Sequence, residues 1–387
     1  MRRRAFLATA GTLLTAGCGA MSGGRGNGRG AYADGVTNIS DSDMSFEGMG
    51  EDQNFSMGEI EDRDFEFEAG AFEADFESRF GEDGGETQTP IETDPRATEL
   101  MTESMKKIQK TYEAYVGQVG SDANLMNVNA SIESFNAPRI RRLAQEARDP
   151  LEEATEYAPE DQKNIILSLV QVTIFLEDLA RVREQLNEAH DEFRYAVERL
   201  YAENTGQLEY TALPKIKEHY KEGRSLYRPL KNEIDPEAVA VFEPVGAVYD
   251  DKIDQVRAEI WAFQDFHSGI RSAANALEKF EKGVPAFYNR NYEQALSPLN
   301  TAEFRFGTAQ SDFGGVEDST GMQEKANEVA DVMGALEGAA QALHRAAEVK
   351  VEDEAQPQFY EARRAAERAV HSNEIASDMR TASQIIL

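Results

Sequence analysis

From about Pro95 onward, apolar positions fall at helical spacing. Met101, Met105, Ile108, Tyr112, Tyr115 and Val119 step by four and three, which predicts a first helix. Pro159-Glu160-Asp161 opens a longer segment whose apolar seam runs Ile165, Leu169, Val172, Leu176, Leu179, Arg183, Leu186, His190, Phe193, Val197 and Leu200. This heptad stripe is broken only by Arg183 and His190. A second stripe follows at Ile253, Val256, Ile260, Phe263, His267, Ile270, Ala274 and Leu277. Between the two, Leu208 to Asn232 reads as another helix, interrupted by Pro214 and ended before Asp235-Pro236. Stripes sustained this long are buried by packing against other helices. No stretch after residue 95 alternates at period two. The expected fold is therefore all-α, with long antiparallel helices in a bundle or helical-hairpin array, preceded by a disordered acidic linker. About 290 residues suffice to bury a substantial core.

The expected bundle spans residues 95–282, and the texture changes after it. Gly283, Ala286, Tyr292, Ala295, Leu299 and Ala302 place small residues where paired helices touch, with Asn-Tyr at the turn. Phe359, Ala362, Ala366 and Ala369 repeat the second-helix part of this pattern. The spacing resembles the tetratricopeptide repeat, which implies helical hairpins over 283–387. It departs from that repeat in having no aromatic pair in the first helix and Ala286 where an aromatic is usual. The second match also lacks the glycine. Ordinary alanine-rich hairpins explain the same residues.

Ahead of the helices the pattern is different. Gly19 to Gly35 is glycine-rich, a flexible tether by composition. From Asp41 to Glu86, seventeen acidic residues face two arginines, with phenylalanines at 46, 55, 65, 67, 72, 76 and 80. Single aromatics among acidic residues are typical of amphipathic disordered segments. Either this is a solvated spacer, or it is a segment that docks on a partner or on the chain's own helices. Phe72, Phe76 and Phe80 would share one helix face. Asn38, Asn54 and Asn129 each begin an Asn-x-Ser sequon, a glycosylation acceptor in an exported chain.

At the start of the chain, Arg3-Arg4-Ala5-Phe6-Leu7 precedes a short apolar run, and Thr15-Ala16-Gly17-Cys18 closes it. A charged start, a brief apolar stretch and small residues before the cleavage point make an export signal. The paired arginines resemble the twin-arginine type, and the closing residues resemble a lipobox. The resemblance implies that residues 1–17 are removed and that Cys18 becomes the lipidated first residue, with 18–94 as the tether. Cys18 is the only cysteine, so it has no disulfide partner within the chain. The expected location is the outer face of the cell membrane, with membrane lipid as partner through Cys18.

Net charge is −31, from 71 acidic against 40 basic residues. Such a balance repels nucleic acid, which is not expected as a partner. With arginine exceeding lysine, the composition resembles proteins of salt-loving archaea, because molar salt screens self-repulsion to within about 3 Å. Candidate chemistry is sparse. The five histidines lack the spacings of helical zinc or di-iron sites. No nucleophile elbow, phosphate loop or dinucleotide fingerprint occurs, so neither an enzyme nor a cofactor is expected. Arg183, His190 and His267 are polar seam positions; they fix helix register, or they meet each other or an acidic neighbour inside the bundle. Trp261 reads as core or as a ligand-facing aromatic. The leading functional expectation is a surface-tethered helical scaffold that binds another protein, with a homodimer as a further expectation. The alternative is a solute- or cation-binding lipoprotein serving a transporter, with a cleft near Trp261, Tyr288 and Tyr292. A bundle enzyme using a metal on the seam histidines is a third class.

Overall fold

The computed structural model describes residues 93–120, 123–352 and 356–386, and every regular element among them is helical. The signal 1–17, the paired Arg3 and Arg4, Cys18, the sequons at Asn38 and Asn54 and nearly all of the tether lie outside the described residues. Helix α1 is Pro95–Val116, α2 Ala137–Tyr157, α3 Glu160–Tyr201 and α4 Ala212–Asn232. Two single turns follow, α5 (Pro236–Val239) and α6 (Glu243–Gly246). Then come α7 Tyr249–Tyr288, α8 Tyr292–Gly314, α9 Gln323–Val351, α10 Gln356–His371, α11 Glu374–Asp378 and α12 Arg380–Ile386.

Local chemistry sets the helix starts. Asp94 caps α1, its carboxylate accepting from Arg96 N at 2.8 Å and Ala97 N at 3.0 Å, with Pro95 in the first position. Asn136 caps α2 by accepting from Arg139 N. Glu160 and Asp161 place negative charge on the first turn of α3, where the helix dipole favours it. Pro214 does not interrupt a helix as the sequence suggested. It sits in the first turn of α4, where a missing N–H costs nothing, and Leu208–Tyr210 forms a separate 3-10 turn before it.

Side-chain pairs give the direction of each helix. Ser104 Oγ donates to Ala147 O and Arg96 pairs with Glu153, so α1 and α2 are antiparallel. Arg148 with Glu177 and Arg141 with Glu184 make α2 and α3 antiparallel. Lys215 with Glu192, and Asp235 N with Gln171, do the same for α3 and α4. Because α4 brings the chain back, α3 and α7 run parallel: Phe175 meets Tyr249, Arg183 meets Glu259 and Phe193 stacks on Phe266 at 4.1 Å. From α7 to α10 each helix folds back on its predecessor.

The two stripes are the centre of this array. On α3 every seam residue from Leu169 to Leu200 is buried, including Arg183 and His190. On α7, His267 and Ala274 are only half-buried. Small residues let α7 and α8 touch. A Cβ on Gly283 would lie 2.8 Å from Leu299 Cγ, and one on Gly269 would lie 3.0 Å from Phe313. The boundary expected between residues 282 and 283 falls inside α7, one unbroken helix, and the described residues belong to one compact unit. At the far end, buried Glu203 accepts from Thr381 N and Oγ1 at 2.7 and 2.9 Å, tying α12 to the end of α3.

Branching at the α7–α8 contact forces the helices apart. Gly283→Val is expected to cost about 1–3 kcal/mol, read as a lower urea midpoint with an unchanged m-value. An unchanged midpoint would show that this approach is not tight.

Candidate functional site

The segment between α1 and α2 does not run over the surface. Leu125, Val128 and Ala130 are fully buried, so its backbone groups lose water and need partners inside the protein. Side chains of α3 and α7 supply them. Lys252 Nζ donates to Leu125 O at 2.7 Å, to Val128 O and to Gln255 Oε1. Gln255 Nε2 donates to Met126 O at 2.9 Å and to Ser319 O at 2.7 Å, which also fastens the α8–α9 connection. Asn187 Nδ2 donates to Ala130 O and Ile132 O at 2.9 and 2.7 Å. Glu259 Oε1 accepts from Ala130 N at 3.3 Å, while its Oε2 accepts from Arg183 Nη1 at 2.7 Å.

Arg183 and Glu259 are both fully buried, so the seam arginine does meet an acidic neighbour inside the bundle. Burial raises the Glu259 pKa, with the Arg183 and Lys252 charges pulling it back. Burial, followed by the Arg183 charge, lowers the Lys252 pKa well below the usual lysine range. Its three acceptors nonetheless match the three donors of an ammonium. Tyr115 lies beside the pair, its hydroxyl pushed up to about 12 by burial with Arg183 opposing. The Tyr115 hydroxyl, Arg183 Nε and Arg183 Nη2 have no hydrogen-bond partner among the described residues.

A cleft of about 290 Å³ opens over this cluster. Gln255 forms its inner wall, and Met126, Asp251, Asp254, Arg257, Trp261 and Glu317 are among the other residues that line it. Trp261 is 53 % exposed, which places it on the surface rather than in the core. The Arg257 guanidinium lies 5.5 Å from the Trp261 ring centroid and pairs with Asp254 at 3.0 Å. Asp251 and Glu317 pair with no described cation. The cleft can hold a positively charged group; no nucleophile with an adjacent base lines it.

Other sequence candidates fall elsewhere. Tyr288 and Tyr292 lie at the α7–α8 turn, 27 residues from Trp261 along α7 in the case of Tyr288, a rise of about 40 Å. The three aromatics therefore share no cleft. Tyr288 Oη donates to Ile385 O at 3.2 Å, and Tyr292 packs edge-on to Phe287 and Phe359. His190 and His267 do not meet. His190 packs by Phe193 and His267 edge-on to Tyr220. The Asn129 side chain accepts from Ser131 N and Oγ, and a Cβ on Gly321 would lie 2.2 Å from its Nδ2. The Asn129 side chain is thus half-buried against Gly321. Among the described residues no cluster of three His, Cys, Asp or Glu side chains could hold a metal ion, and no helix is long and apolar enough to cross a membrane.

Removing one member of a buried ion pair strands the other. Glu259→Leu alone is expected to destabilise by about 3–5 kcal/mol, and adding Arg183→Met to recover most of that loss. Equal loss in the single and double variants, in chemical denaturation, would refute the pairing. His190 gives a pH signature. Burial, then Arg194, holds its pKa at about 4 against an ordinary 6.5. The unfolded chain thus takes up a proton that the folded chain refuses between those values, and stability falls as pH falls through that window. From pH 7 to pH 5 the loss is about 2 kcal/mol, and His190→Leu is expected to abolish that component.

Comparison with protein-family models, with curated proteins and with solved structures finds no match for this chain.

Proposed function

We propose that this chain is a lipid-anchored, extracytoplasmic helical scaffold that binds another protein at the surface of a salt-adapted cell. The observation that carries this reading is where the polar groups go. The buried lysine and glutamine and the half-buried asparagine bind this chain's own backbone, and the buried glutamate accepts from both Arg183 and Ala130 N. The interior thus holds the molecule together, and contact with other molecules falls to the outer surface. That surface carries isolated aromatics on the long helices: Phe304 at 68 %, Tyr360 at 56 % and Trp261 at 53 % exposure. Exposed aromatics of this kind are what protein interfaces use as anchors. Arg3-Arg4 and Thr15-Ala16-Gly17-Cys18 supply the export and anchoring half of the reading.

The acidic cleft supports a second reading, a cation- or solute-binding lipoprotein. Asp251 and Glu317 would draw a positively charged solute to the inner wall at Gln255. Thermal-shift measurements separate the two, since a specific ligand raises the melting point by mass action.

Purification from detergent-solubilised membranes in molar salt is the direct test. The expected outcome is an acylated Cys18 by mass spectrometry and a co-purifying protein whose recovery falls at least fivefold in Phe304→Ala or Trp261→Ala with melting unchanged. An unmodified Cys18 thiol overturns the anchor, and recovery of this chain alone overturns the scaffold.

A further inference from the structure

Helix α4 is out of character with the rest of the chain. It carries six cations (Lys215, Lys217, Lys221, Arg224, Arg228 and Lys231) against two acids, in a chain of net charge −31. Five of the six, Lys217, Lys221, Arg224, Arg228 and Lys231, step by four, three, four and three, so they form one stripe along the helix. All five are exposed. Lys215, off the stripe, pairs with Glu192, whereas no described carboxylate forms an ion pair with any of the five. The opposite face of α4 is buried through Leu213, Ile216, Tyr220, Tyr227 and Leu230, so the basic face has no described helix over it. Half-buried His267 on α7 senses this face: burial, then Lys217 and Arg271, lower its pKa, with Glu209 opposing and Lys221 adding to the effect.

We propose that residues 66–86 of the same chain dock along the basic stripe of α4. Three observations meet here. The first is charge: Glu66 to Glu86 holds eight acidic residues and one arginine. The second is pattern. Phe72, Phe76 and Phe80 repeat every four residues, and Glu73 and Glu77 follow the first two, so a helical turn of this segment would present carboxylates beside an aromatic row. Tyr210, 86 % exposed just ahead of α4, offers an aromatic surface at one end of the stripe. The third is reach. The described chain enters at Asp94, whose N–H bonds Gln162 on α3, while the C-terminal end of α4 is held where Asp235 N bonds Gln171. Those two α3 positions are nine residues apart, a rise of about 14 Å and half a turn round a helix about 10 Å across. The eight residues from Glu86 to Asp94 span up to about 27 Å when extended, enough to bring the segment to the stripe.

Docking would shield a strongly basic surface of an acidic protein and shorten its tether. The inference is independent of lipid at Cys18. It requires only that the segment and α4 belong to one chain.

Zero-length carbodiimide cross-linking of the full chain, at dilute protein and followed by peptide mass spectrometry, tests it. Amide links are expected from Lys217, Lys221 and Lys231 to carboxylates of 66–86. Links of equal yield to Lys106 and Lys110 on α1, or none at all, would overturn it. Links between differently isotope-labelled chains would also overturn it, in favour of a second copy as occupant. The combined Lys217→Gln, Lys221→Gln, Arg224→Gln and Arg228→Gln variant alters exposed side chains only, so its melting point is expected to hold. Amide hydrogen exchange across 66–86 is expected to be at least tenfold faster in that variant than in the unaltered chain. Equal exchange rates would sink the proposal, as would vesicles of anionic lipid that bind the stripe while exchange in 66–86 stays unchanged.

Discussion

A buried loop is the constraint around which the rest of this structure is arranged. Helices satisfy their own backbone, so a bundle of them needs few interior polar groups. The segment from Leu125 to Ile132 breaks that economy because it lies between helices and brings unpaired carbonyls and N–H groups with it. Leaving one such group unpaired costs on the order of 1–3 kcal/mol. Lys252, Gln255 and Glu259 lie on one side of α7, and Arg183 and Asn187 lie one turn apart on α3, where together they answer the loop. The consequence is positional. Sliding α3 against α7 by one turn would separate Arg183 from Glu259 and also strand Asn187 or Lys252, whichever helix the loop failed to follow. An apolar seam tolerates such slips, whereas this cluster does not. The charged interior therefore fixes which residues of two parallel helices face each other.

Around that fixed pair, packing follows the size of the side chains. The α3 seam uses large aliphatics, but Ala180, Ala189 and Ala196 are also fully buried on its other faces. A helix surrounded on several sides needs small residues wherever a neighbour approaches closely. The same holds on α9, where Ala335, Ala339, Ala340, Ala346 and Ala347 are buried between α8 and α10. Peripheral helices are simpler. On α4 the apolar residues occupy one face and the cations the other. Glu203 completes the array by drawing α12 back to α3, although 178 residues separate its carboxylate from Thr381.

These differences explain what could be read from the sequence. The stripes of α3 and α7 were legible because each helix devotes one continuous face to large apolar residues, and the start of α3 was marked by Pro159-Glu160-Asp161. An acidic partner for Arg183 was one of the alternatives the sequence left open, beside a role in helix register. Which carboxylate it would be was not legible: 71 acidic residues leave Glu259 indistinguishable, and it sits beside the α7 stripe rather than on it. Lysine is scarce here, and Lys252-Gln255-Glu259 at spacings of three and four, flanking an apolar stripe, was the signal available. The loop itself was opaque because burial of a short connection depends on helices far along the chain. Trp261, Tyr288 and Tyr292 were grouped as one cleft from residue type alone, and the length of α7 separates them.

The distribution of charge bears on how the fold responds to salt. At molar salt, interactions between exposed charges decay within about 3 Å, so pairs such as Arg96–Glu99 and Arg271–Glu209 contribute little. Buried pairs are screened far less, because the ions cannot enter. A bundle whose long helices were matched only by surface ion pairs would lose its register discrimination as salt rises, while hydrophobic attraction, which has no direction, would persist. Placing Arg183, Lys252 and Glu259 inside reverses that weakness. The discrimination then comes from hydrogen-bonded groups that salt does not reach, and the apolar seams supply the cohesion. The same reasoning separates the two polar features of the fold. The interior cluster is insensitive to salt and sets the structure, whereas the basic stripe on α4 lies in solvent and responds to it. Anything docked on it would therefore need apolar contacts as well as charge.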